Sequence, residues 1–140
     1  MNNIVIKKSW EDDKLLEIKV RAKSEFVNAY QFCYIQKKDL QMIGDTVVNY
    51  VKQNDKDCYV EFGNKKGDHT PAFSLKFLQA NGNGHVKIEV DIEIDDNDTR
   101  CHRCSYYVES ELGLIEQFGE KLIQLSKDNY TKEIELNKTP

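Results

Sequence analysis

The feature that most constrains this chain is a strict two-residue alternation, in which Val86, Ile88, Val90, Ile92 and Ile94 are separated by Lys87, Glu89, Asp91 and Glu93, with Asp95 next. A backbone turns successive side chains to opposite sides only as a β-strand, so one face of this segment belongs on a core and the other in solvent. Immediately before it stands Asn81-Gly82-Asn83-Gly84, residues that tolerate the positive backbone angles of a tight hairpin. Residues 72–79 then read as the partner strand, and residues 58–62 as another strand ahead of the polar stretch 63–70. Strands with one wet face, joined by short turns, belong to an antiparallel sheet.

The N-terminal third follows the same rule. Ile4 and Ile6 alternate with Val5 and Lys7, and after the polar turn Glu11-Asp12-Asp13 the set Leu16, Ile18, Val20 and Ala22 alternates with Glu17, Lys19 and Arg21. A third run places Phe26, Tyr30, Phe32 and Tyr34 on one side and Val27, Ala29, Cys33 and Ile35 on the other, so both of its faces are expected to be partly covered. From Asp39, read as an N-cap, the period changes to three and four through Leu40, Ile43, Val47, Tyr50 and Val51, which predicts an amphipathic helix to about Gln53. Gly44 inside it weakens a helix by about 1 kcal/mol relative to Ala, and its place there predicts close packing on the sheet.

Beyond the turn Asp95-Asp96-Asn97-Asp98, residues 100–109 predict one more strand. A final helix, capped near Ser110, carries Ile115, Phe118, Leu122 and Leu125 on one stripe. From about residue 128 the chain is a polar tail in which Ile134 and Leu136 mark a short extra strand. The fold expected is α+β: a largely antiparallel β-sheet of about six to seven strands with two helices packed on one face, in a single domain over residues 1–140.

Composition narrows the function. At 140 residues the chain is the size of one domain, and 39% apolar against 31% charged residues excludes a disordered polymer. No apolar stretch approaches the roughly 20 residues of a membrane helix, and Met1-Asn2-Asn3-Ile4-Val5-Ile6-Lys7-Lys8 has no secretory pattern, so the expected compartment is the cytoplasm. There the cysteines Cys33, Cys58, Cys101 and Cys104 read as free thiols. A net charge of −4 argues against a nucleic-acid binder.

Motifs for chemistry are sparse. Cys101-His102-Arg103-Cys104 has the C-x-x-C spacing of zinc and redox sites, but no second ligand pair accompanies it, and in a strand residues three apart point to opposite faces. His69, His85 and His102 lie in no catalytic motif, Lys65-Lys66 is too short a basic run, and Asn81 to Gly84 opens a strand instead of a phosphate-binding helix. No cofactor or metal is expected. What remains is acidic: Glu89, Asp91, Glu93 and Asp95 form a row spaced about 6.6–6.8 Å, suited either to keeping a sheet face solvated or to steering a basic partner.

The segment Gly84-His85-Val86-Lys87-Ile88, a following strand, and Glu109-Ser110-Glu111-Leu112-Gly113-Leu114-Ile115-Glu116-Gln117-Phe118 leading into a helix resemble small bacterial immunity proteins of the WapI-type group. That resemblance implies a non-enzymatic inhibitor of a contact-dependent toxin domain, with no catalytic residue to carry over. A nuclease toxin with a basic cleft would meet the acidic row. Two other readings stay open: a small hydrolase or nuclease using His85 or His102, and a ligand-binding module lined by Phe26, Tyr30, Tyr59, Phe73 and Phe77.

Overall fold

The computed structural model describes residues 2–53, 55–63, 72–97, 99–127 and 129–137, with the side chains of residues 94–97 and 100 outside the description. Its elements in chain order are β1 (Asn3–Glu11), β2 (Leu15–Lys23), β3 (Asn28–Gln36), α1 (Lys37–Gln53), β4 (Cys58–Phe62), β5 (Ala72–Phe77), β6 (His85–Asn97), β7 (Arg100–Glu111), α2 (Leu112–Lys127) and β8 (Glu133–Glu135). The class is α+β as expected, with eight strands among the described residues instead of six or seven. They form two antiparallel four-stranded sheets, ordered β3-β2-β1-β8 and β4-β5-β6-β7, where one sheet was expected. Alternation tells which face of a strand is apolar but not which edge it pairs with, so the division into two sheets was not readable from it.

The chain traces the same path twice. In the first half a three-stranded meander, β1 to β3, runs without a break into α1; in the second, β5 to β7 runs without a break into α2. Each helix is followed by a short strand that joins the other half's sheet: β4, after α1, pairs with β5, and β8, after α2, pairs with β1. The helices meet at Gly44 and Gly119, each the eighth residue of its helix. A Cβ on Gly44 would stand 2.7 Å from the Gly119 carbonyl oxygen, and one on Gly119 would stand 3.1 Å from that of Gly44. Gly44 therefore admits close packing against α2, not against a sheet. Asp39 lies in the first turn of α1, two residues inside the helix, instead of at its cap.

One hydrophobic core takes side chains from both sheets and both helices, with Phe62, Phe73, Phe77 and Phe118 its largest fully buried members. Polar ties bind the two sheets together. Tyr106 of β7 donates its hydroxyl to the Ala22 carbonyl of β2 at 2.7 Å. Asn137, just past β8, donates to the Glu109 carbonyl (2.8 Å) and the Asn2 carbonyl (3.1 Å), while its Oδ1 accepts the Ser110 hydroxyl (2.6 Å). The β5–β6 turn has the predicted chemistry: Asn81 Oδ1 accepts the backbone N–H groups of Asn83 and His85, and Gly84 sits at φ 79°. Among the described residues no helix is long and apolar enough to cross a membrane.

Candidate functional site

Two outer sheet faces carry the candidate groups. On the second sheet, Glu89, Asp91 and Glu93 share the outer face of β6, as their alternation requires, and the backbone of Asp95 pairs with Cys101 while its side chain lies outside the described residues. Cations are interleaved with them. Across the ladder Lys76 stands opposite Glu89, Arg103 opposite Glu93, and Glu109 opposite Lys87. Asp91 is buried and accepts two bonds from Arg103, at 3.3 Å from Nε and 2.8 Å from Nη2. That hydrogen bond, helped by the charges of Asp91, Glu93 and Glu89, raises the guanidinium pKa further. Tyr107 donates to Glu89 at 3.2 Å, and this bond pushes the phenol pKa up. The acids form a partly compensated lattice instead of an uninterrupted anionic row.

The outer face of the first sheet is different in kind. Tyr30, Phe32 and Tyr34 occupy alternate positions of β3 and are 54, 39 and 53% exposed, so one face of this strand is open where both were expected to be partly covered. Trp10, 47% exposed, reaches the same face because a bulge shifts the β1–β2 register between Lys8 and Trp10, setting Trp10 opposite Glu17. The rings are organised in pairs: Trp10 and Tyr34 meet edge to face at 6.4 Å, as do Tyr30 and Phe32 at 6.2 Å. Lys19 Nζ lies 4.7 Å from the centroid of Tyr30 and 5.5 Å from that of Phe32, and the Arg21 guanidinium is 5.1 Å from Tyr30. Glu17 accepts the Ser9 hydroxyl at 2.8 Å, and its charge raises the pKa of Tyr34. The β3 triplet was visible in the sequence, and the charges of Lys19 and Arg21 opposite it were the signal that its face is open. Trp10 carried no such signal, because a bulge cannot be read from alternation.

The groups considered for catalysis do not assemble. His85, at the start of β6, is 3.6 Å from Glu111, whereas His102 is registered opposite Ile94, nine residues and about 30 Å further along the ladder. His69 and Lys65-Lys66 lie outside the described residues. An open cleft of about 600 Å³ beside His85 includes Ser110, whose hydroxyl is committed to Asn137. Cys101 is exposed and Cys104 half-buried; burial pushes the Cys33 thiol up to about 12 and raises that of Cys58. No group of three metal-ligating side chains gathers among the described residues. Nor do the five aromatics considered for a ligand pocket share one: Phe73 stacks on Phe62 at 4.3 Å and Phe77 packs on Tyr50 in the core, whereas Phe26, Tyr30 and Tyr59 are exposed.

Comparison of the chain with protein-family models, with curated proteins and with solved structures finds no match.

Proposed function

We propose that this protein is a non-enzymatic cytoplasmic immunity protein that binds a cognate toxin domain and covers its active surface, with the outer face of the first sheet as the contact. One observation carries the choice of face: Trp10, Tyr30, Phe32 and Tyr34 are displayed side by side on a rigid sheet, with Lys19 and Arg21 laid against the rings. Aromatic residues and Arg are enriched at the centres of protein interfaces, where they bury much area at little loss of side-chain entropy. The sequence resemblance to WapI-type immunity proteins supports the identity of the partner.

A second contact is favoured by Glu89 and Glu93, which keep an outward position on β6 and would steer a basic toxin. An immunity gene should directly follow that of a large secreted protein with a toxic C-terminal domain, and titration against the domain found there, read by calorimetry and by toxic activity, tests both. Nanomolar 1:1 binding with loss of toxicity is expected. Trp10→Ala/Tyr34→Ala should weaken it about 100-fold or more, as hot-spot truncations do. Glu89→Gln/Glu93→Gln should alter chiefly the salt dependence of association. Full affinity in the aromatic variant would remove the first sheet as the contact, and absence of binding at micromolar concentration would remove the immunity function.

A further inference from the structure

Strand edges divide sharply in how they are protected. β8 is three residues long, β4 is five and carries Glu61, and β7 bears His102, Arg103, Glu109 and Glu111 with an irregular register near its start. β3 has none of these devices. It is nine residues long, Asn-Ala-Tyr-Gln-Phe-Cys-Tyr-Ile-Gln, with no charge, no proline and an unbroken register along β2. Proteins that must stay monomeric blunt such an edge, because its free N–H and C=O groups are a template for another strand.

The register identifies which groups are free. The Lys37 N–H donates to the Lys14 carbonyl at 2.8 Å, so in the alternating antiparallel pattern Ala29, Gln31, Cys33 and Ile35 turn their backbone groups toward β2. Asn28, Tyr30, Phe32, Tyr34 and Gln36 turn theirs outward. The Phe32 carbonyl accepts from Gln31 Nε2 at 3.0 Å and keeps a second lone pair for an incoming N–H. Beside Tyr34, Ile35 and Gln36 the edge borders an open cleft of about 510 Å³ that reaches Tyr59 and Glu61.

We infer that this edge pairs with the same edge of a second copy, antiparallel about Phe32, to form a twofold dimer in which the two β3-containing sheets become one. The strand is its own complement. Phe32 is its central residue, so a twofold axis there sets Phe32 against Phe32 and Tyr30 against Tyr34 of the second copy. All of these are outward-facing positions, which such an axis makes into hydrogen-bonded pairs, and the six rings share one face as cross-strand aromatic pairs. With no charge on the strand, self-pairing meets no like-charge repulsion. This dimer does not depend on toxin binding and is measured on the protein alone.

Sedimentation velocity from about 1 to 100 µM tests it, together with oxidative cross-linking of introduced cysteines in a Cys58→Ser/Cys101→Ser/Cys104→Ser background that keeps only the buried Cys33. Hydrogen-bonded antiparallel partners have Cα atoms about 5.5 Å apart, within disulfide reach, so Phe32→Cys should cross-link whereas Tyr30→Cys alone should not, and Tyr30→Cys/Tyr34→Cys should. Phe32→Lys sets two like charges on the axis and should weaken the dimer roughly 30-fold while circular dichroism stays native. A wild-type monomer across the whole range overturns the inference, as does a dimer that ignores Phe32→Lys and fails to cross-link at position 32. A monomeric protein whose Phe32→Lys variant loses toxin binding would give Phe32 to the toxin contact alone, and the dimer would likewise be overturned.

Discussion

Glu11 shows how one side chain at a strand end can hold three elements. It accepts Lys37 of α1 at 3.2 Å and Lys8 of β1 at 3.4 Å, and Lys132, just ahead of β8, lies 3.7 Å away. Desolvation raises its pKa, but the Lys37 hydrogen bond and the charge of Lys8 together outweigh that, and the carboxyl ends below its ordinary 4.5. A depressed carboxyl contributes stability that is fully present above the unfolded value and is lost as pH falls through the folded one. Glu11→Gln should therefore lower unfolding stability at pH 7 by roughly 1.5–3 kcal/mol, the range for hydrogen bonds to charged groups. It should also flatten the decline below pH about 4.5, as followed by urea denaturation across pH. An unchanged acid limb would assign that decline to other carboxylates. None of this was legible in Glu11-Asp12-Asp13, which reads as a polar turn: the bulge that aligns Glu11 with Lys8 and the fold that delivers Lys37 and Lys132 are both non-local.

Among the elements, the helix crossing is the most exacting. An ordinary helix gains about 1 kcal/mol when Gly becomes Ala, yet at Gly44 the added methyl would meet the Gly119 carbonyl oxygen at 2.7 Å and Ile123 Cγ1 at 2.6 Å. Backbone cannot yield as a flexible side chain can, so Gly44→Ala should destabilise by about 1–3 kcal/mol net in chemical denaturation. A stabilised variant would show that the helices can separate without loss. The glycine's need for close contact was readable from its place inside a good amphipathic pattern, but its partner was not, since α2 lies far along the chain. By contrast β6 was legible from His85 to Ile94, because alternation of Val86, Ile88, Val90 and Ile92 with charged residues is a local property and the Asn-Gly turn before it is too; Asp95 to Asn97, read as a turn from their polar composition, continue the strand because they pair with β7. What that alternation could not supply was the neutralising company of Lys76 and Arg103 from adjacent strands, which changes the meaning of Glu89, Asp91 and Glu93.

For the molecule as a whole, the doubled path with exchanged fourth strands is the organising fact. Neither half completes its own sheet: the first keeps β1 exposed until β8 arrives, and the second needs β4 from the first to cover β5. Fragments 1–67 and 68–140 should each lack a cooperative transition alone and regain one on equimolar mixing, as followed by circular dichroism and thermal melting. A fragment that melts cooperatively by itself would show that a half is a domain. No sequence repeat announces this arrangement, because the paired helices fill equivalent positions with different residues, Leu40 against Ile115 and Val47 against Leu122, and coincide only at Gly44 with Gly119 and Lys52 with Lys127. Pairings so distant along the chain make closure entropy the early obstacle to folding, with the gain coming late. On the ribosome the first sheet stays one strand short until residues 133–135 have been synthesised and have left the exit tunnel, so its β1 edge is open to chaperones, or to mispairing with a neighbouring nascent chain, throughout the synthesis of the residues between.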